Sequence, residues 1–148
     1  MKIDLAEKNF EVGASQERVW RLIGKVIFSS LPGMENMEIF DENNFRAVLR
    51  MKTLGVPVSV KLKGEMIDVT PPESFSVRLF IQGLGGFLEA DQKVSFTMKP
   101  VEKKKTAVNC KASVQDLAFL QRLFLLGQAR SFANSTFDAI EKRLKELA

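Results

Sequence analysis

Residues 117–148 read LAFLQRLFLLGQARSFANSTFDAIEKRLKELA, and this stretch decides the fold. Ala129, Phe132, Ala133, Phe137, Ile140, Leu144 and Leu147 recur at helical spacing, with Glu141, Lys142, Lys145 and Glu146 outside the stripe. No proline interrupts the run, so the pattern predicts one long helix from Leu117 to Ala148. Its first part differs. Between Leu117 and Leu126 eight of ten residues are apolar, so this segment needs covering on more than one side. A buried turn under loops or a dimer contact is one reading; a mobile lid or membrane-contacting element is the other.

Upstream of that helix the period falls to two, which is the signature of half-buried strands. Six strand candidates run in series: Glu35 to Phe40, Phe45 to Thr53, Val56 to Val69, Phe75 to Gln82, Phe87 to Lys99 and Thr106 to Gln115. In the second of these Phe45, Ala47, Leu49 and Met51 share a face, and Arg46, Arg50 and Lys52 take the other. Asp41-Glu42-Asn43-Asn44, Pro71-Pro72-Glu73-Ser74, the glycines at 83, 85 and 86, and the charged stretch from Pro100 to Lys105 punctuate them. Hairpin-length connections imply an antiparallel meander. Lys2 to Val12 adds one more strand, irregular in its middle. Ser15 is a candidate N-cap, followed by a short helix at Val19, Trp20, Leu22 and Ile23 that ends near Gly24. A second short helix around Val26, Ile27 and Phe28 stops at Leu31-Pro32-Gly33. The expectation is an α+β chain: a curved antiparallel sheet of seven strands, two short helices after the first strand, and a long C-terminal helix covering the apolar face of the sheet.

At 148 residues the chain, 1–148, is expected to form a single domain. The net charge is +4, with Lys and Arg spread along the strands and the longest run only Lys103 to Lys105. That pattern argues against nucleic acid as a partner and suits an anionic surface or an acidic protein. The lone Cys110 permits no internal disulfide and fits a reducing cytosol. Met1 is followed by polar sequence, so no signal peptide is expected, and no apolar run is long enough to span a bilayer. The expected location is cytoplasmic, at most peripheral to the membrane.

Two absences narrow the chemistry. The chain has no histidine and no tyrosine. Histidine is the usual general base near neutral pH, so nucleophile–histidine pairs, histidine metal sites and tyrosine acids are excluded. A zinc site finds one cysteine where several Cys or His ligands are needed. Only Asp, Glu or Lys catalysis remains, and it requires a strongly shifted pKa. The sequence therefore names no catalytic residue, no metal and no cofactor.

The order of elements, together with specific residues, resembles the START-like (SRPBCC) superfamily, and within it the CoxG family of carbon monoxide dehydrogenase subunits. The matching pieces are Phe10-Glu11-Val12, then Ser15-Gln16-Glu17-Arg18-Val19-Trp20, Leu31-Pro32-Gly33, Gly64, Pro71-Pro72, and Gly85-Gly86-Phe87. The likeness covers essentially the whole chain. Where the family's turn often carries a cysteine before Pro-Gly, Ser29 and Ser30 stand here, and no thiol role carries over. The resemblance implies a helix-grip (START/Bet v 1-like) fold with an apolar cavity between sheet and C-terminal helix. It implies a lipid or quinone-like ligand there, and a molybdenum hydroxylase of the carbon monoxide dehydrogenase type, or the membrane surface, as a further partner.

The candidate ligand-lining residues are apolar side chains on the inferred concave face: Leu49, Met51, Val60, Leu62, Leu79, Phe96, Met98, Val108 and Cys110 from strands, with Leu120, Phe124 and Phe132 from the helix. Residues of this kind line a cavity or fill a solid core; the resemblance favours the cavity. Cys110 falls on the apolar phase of its strand and reads as a small hydrophobe. Gly83, Gly85 and Gly86 lack the Lys-Ser or Lys-Thr and following helix of a phosphate loop, so a hairpin is the better reading. Three functions compete: a non-catalytic carrier of an apolar molecule, an assembly or membrane-tethering module for an oxidoreductase, and a cyclase- or dehydratase-type enzyme. The last needs an inward carboxylate, whereas Glu65, Glu89 and Asp91 fall on the outward phase.

Overall fold

A single antiparallel sheet of seven strands, in the order β1-β7-β6-β5-β4-β3-β2, curls around the C-terminal helix. The strands are β1 (Lys2–Val12), β2 (Met34–Asp41), β3 (Asn44–Thr53), β4 (Val56–Thr70), β5 (Ser74–Gly83), β6 (Leu88–Glu102) and β7 (Lys105–Gln115). The helices are α1 (Gln16–Ser30) and α2 (Phe119–Leu147). This computed structural model describes residues 2–30, 34–41, 43–53, 56–83, 88–115 and 119–148, with side chains at 28–29, 34–37, 39, 41, 49, 51–53, 56, 58, 88, 119–125 and 128 left aside. Leu31-Pro32-Gly33, Gly85 and Gly86 lie outside the described residues.

From β2 to β7 each strand pairs with its sequence neighbour, as short hairpin connections dictate, and β1 closes the sheet beside β7. The irregularity in Lys2–Val12 is a register shift between Asp4 and Ala6 against β7. A second shift, between Ile67 and Thr70, breaks the β4–β5 ladder where Asp68 adopts φ 52°. Such bulges add local twist and bend the strands that carry them.

The first helical segment corrects the sequence reading. It is one continuous helix across Gly24, not two short ones. A mid-helix glycine costs roughly 1 kcal/mol relative to alanine. That penalty is outweighed because α1 buries Val19, Ile23, Val26 and Ile27, each worth about 1.5–3 kcal/mol when removed from water. Ser15 caps it as expected: its hydroxyl accepts from the Arg18 amide at 3.3 Å and its carbonyl from the Val19 amide at 3.0 Å.

On α2 the stripe Ala133, Phe137, Ile140 and Leu144 is buried against the sheet, but Leu147, expected on the same stripe, is 38% exposed at the helix end. A run of aromatic rings ties both helices to the sheet. Trp20 of α1 meets Phe75 edge-on at 5.6 Å, Phe75 stacks on Phe96 at 5.0 Å, and Phe96 meets Phe137 of α2 edge-on at 6.3 Å. Pairs of this geometry contribute about 0.5–1.5 kcal/mol each beyond their buried area. At the surface Lys8 of β1 pairs with Asp138 and, at 2.7 Å, with Glu141, while Arg18 donates to the Leu147 carbonyl at 3.0 Å. Thr106, fully buried, donates to the Ala14 carbonyl at 2.8 Å and fixes the β1–α1 turn to β7. Among the described residues no helix is long and apolar enough to cross a membrane.

Candidate functional site

Between the concave face of the sheet and α2 lies a cavity of about 40 Å³. Its sheet wall follows from cross-strand register. Val77, Val94 and Ala112 form one row across β5, β6 and β7, and the next row runs from Phe45 through Gly64 and Leu79 to Gln92. Phe96 sits one pleat further along β6. Ile27 of α1 closes one side. From α2 come Phe132, Ala133, Thr136, Phe137 and Ile140, spaced to share one face of the helix. Ala112 and Ala133 are small side chains on facing elements, and the space opens at such positions.

Two polar side chains interrupt this apolar lining. Gln92 is 5% exposed on β6 and Thr136 is 7% exposed on α2. Among the described residues the Thr136 hydroxyl has no hydrogen-bond partner. A helical threonine commonly satisfies its hydroxyl on the carbonyl one turn back, here that of Phe132, and Thr136 does not.

Of the residues anticipated from sequence, Leu79, Phe96 and Phe132 line the cavity. Val60, Leu62, Met98, Val108 and Cys110 are buried but are not among the described residues that line it. The inward strand phase was right for them; the distance to the gap beneath α2 is set by sheet curvature, which periodicity does not carry. The side chains of Leu49, Met51, Leu120 and Phe124 lie outside those described. Apolar periodicity alone does not mark Gln92 and Thr136, because both side chains are polar. Each nevertheless had a signal: Gln92 occupies the inward phase between Ala90 and Val94, and Thr136 falls on the stripe between Ala133 and Ile140.

Cys110 is fully buried, and burial pushes its thiol up to about 12, so it behaves as the small hydrophobe its phase suggested. The described carboxylates on these strands face outward. Asp91 receives a bidentate contact from Arg78 at 3.1 and 2.7 Å, Glu89 accepts from Gln82 at 3.3 Å, and Glu65 is exposed. No ionisable side chain among the described residues lines the cavity, and no group of three or more Cys, Asp or Glu among them gathers to hold a metal. Arg130 is spent at the surface, donating to the Asp4 carbonyl at 3.4 Å.

A curved antiparallel sheet closed by a C-terminal helix over an apolar cavity is the helix-grip architecture of the START-like superfamily, and solved structures agree. The chain is similar to a conserved protein from Geobacillus kaustophilus (TM-score 0.72, 19% identity, covering 95% of this chain and 94% of that one). It is also similar to a START superfamily protein from Mycobacterium smegmatis (TM-score 0.66, 15% identity, covering 99% and 100%). A third is the Zhui aromatase/cyclase from Streptomyces sp. R1128 (TM-score 0.60, 13% identity, covering 98% and 94%). At these identities the likeness is one of fold. No curated protein sequence gives a significant match. The sequence itself is more specific: residues 9–145 match the CoxG family of carbon monoxide dehydrogenase subunits, and the chain belongs to that family.

Proposed function

We propose that the chain is a non-catalytic carrier of an apolar small molecule, lipid or quinone-like, held between the sheet and α2 and linked to a carbon monoxide dehydrogenase-type oxidoreductase. One observation carries this reading: the gap under α2 is walled by apolar side chains from six elements and by no ionisable group among the described residues. Removing apolar ligand surface from water there supplies roughly 25 cal/mol per Å² before the cost of association. The cavity holds about 40 Å³. Ligand sites for drug-sized molecules run to roughly 300–1,000 Å³, so loading requires α2 to part from the sheet. The helix is placed for that. Among the described residues its backbone approaches α1 and β1 most closely, and it meets the central strands through side chains. The family supplies the link to the oxidoreductase, and the lone buried Cys110 suits a cytoplasmic setting.

Mass spectrometry of an organic extract from the folded protein, purified from its native host beside a denatured control, tests the carrier reading. A stoichiometric apolar compound retained only by folded protein is the expected result; a clean extract overturns it.

A second reading, an assembly or tethering module, is favoured by the outer face. There Arg46, Lys61 and Lys63 are exposed on β3 and β4, and Phe40, 55% exposed, lies under the Arg46 guanidinium at 4.9 Å. Pull-down with the oxidoreductase, repeated with Lys61→Glu/Lys63→Glu, discriminates. Loss of the partner with the extract unchanged assigns this face to docking.

A further inference from the structure

We infer that the cavity selects an uncharged apolar molecule bearing a hydrogen-bonding oxygen, and that the Thr136 hydroxyl is a group that reads such an oxygen. The inference rests on the carrier reading and adds the chemical class of ligand.

Two independent features meet at one place. Thr136 is 7% exposed and lines the cavity, and its hydroxyl has no partner among the described residues. A buried polar group without a partner is costly, and native structures keep few of them. Nothing in the packing of α2 demands the hydroxyl, since valine has nearly the same shape. The second feature is Gln92, 5% exposed on the sheet side of the same cavity. Its amide belongs to a different element, so a polar side chain stands on each side of the space a ligand would fill.

The rest of the lining fixes the charge of the ligand. The remaining wall is hydrocarbon, with no Lys or Arg among the described residues to balance an anion and no Asp or Glu to balance a cation. A carboxylate or phosphate moved into such a site loses its hydration and gains no counter-charge. A ketone, ester or alcohol oxygen loses much less, and the threonine hydroxyl replaces one of its water contacts. The selectivity follows: hydrocarbon bulk supplies affinity, the hydroxyl orients one neutral oxygen, and ionised fatty acids and phosphorylated heads are rejected.

The full chain is titrated by amide chemical-shift perturbation with cyclohexanone, cyclohexane and cyclohexanecarboxylate, rings that need far less opening than a drug-sized ligand, since a cavity of about 150 Å³ takes one. The same titrations are run on Thr136→Val, which preserves shape, and Thr136→Ser, which preserves the hydroxyl. Cyclohexanone is expected to lose about tenfold in affinity in Thr136→Val and to keep it in Thr136→Ser. Cyclohexane is expected to bind both variants at least as well as the parent, and the carboxylate to bind none of them. If ketone and hydrocarbon respond alike to Thr136→Val, the hydroxyl reads nothing and this inference falls while the carrier reading stands. Carboxylate binding as tight as that of the ketone overturns the selectivity for uncharged molecules. Failure of both neutral rings to bind overturns this inference, while the organic extract decides the carrier reading.

Discussion

Phe45 lies across Gly64, its cross-strand partner, so closely that a β-carbon on Gly64 would fall 2.1 Å from Phe45 Cε1. The glycine lets the ring lie down on the sheet and serve as cavity wall. Gly64→Ala therefore drives the ring away from β4 and into the cavity. We expect a loss of roughly 1–3 kcal/mol in urea unfolding, the usual cost of overpacking, together with loss of cyclohexane uptake. Unchanged uptake would show that the ring escapes elsewhere.

Phe96 joins the two helices through the sheet, stacking on Phe75 and touching Phe137 edge-on. Phe96→Ala is expected to cost about 3–5 kcal/mol in denaturant unfolding, as large core truncations do. Phe40→Ala, at an exposed site on the outer face, should stay within about 0.5 kcal/mol. Equal effects would mean that the aromatic run is not the spine of the core.

Thr136→Val removes a buried hydroxyl that has no partner among the described residues. The empty protein should gain about 1 kcal/mol. For a chain of this size that raises Tm by roughly 2–4 °C. A lower Tm would mean that the hydroxyl is already satisfied in solution.

Glu141 accepts from Lys145 at 2.8 Å and pairs with Lys8 at 2.7 Å. Those two hydrogen bonds, the one from Lys145 first, hold its carboxyl below the ordinary glutamate value of 4.5. A carboxyl depressed by folding stabilises the folded state above its unfolded value, and this contribution is lost as pH falls through the folded value. Below pH 4.5 the parent should therefore lose Tm more steeply than Glu141→Gln. Thermal melts across an acid series check this, and parallel slopes would refute it.

The Cys110 thiol, pushed up to about 12 by burial, should be silent toward a disulfide reagent near pH 8 in the folded protein and react fully in guanidinium. Rapid reaction of the folded protein would reveal opening of the sheet around β7.

Much of the architecture was legible because periodicity reports which side of an element is dry. On β4 to β7 Val60, Leu62, Val108 and Cys110 are buried where alternation placed them, whereas Met66, Ile81 and Ala90 are half-buried and Ser76 and Ser113 on the other phase are buried. Ser15 caps α1 as a short polar side chain before a helical run should. The break at Gly24 misled because propensity is a local cost, and burial of Val26 and Ile27 against the core outweighs it. Leu147 misled in the opposite direction: helical spacing continues to the chain end, but the surface it would bury against does not.

What the sequence determined by itself was the family, the alternation of the strands and the absence of histidine and tyrosine chemistry. Those properties reside in residue identity and spacing. The tertiary structure alone decided which inward residues line the gap beneath α2. Leu79 and Phe96 reach the gap, whereas Met98 and Val108, on the same phase, do not. It also placed Gln92 and Thr136 on opposite walls of one cavity, though they are far apart in sequence and polar on otherwise apolar stripes. The physical reason is that a cavity is a property of curvature and of volumes summed across elements. No pattern along one chain segment encodes the distance between a sheet and the helix that covers it.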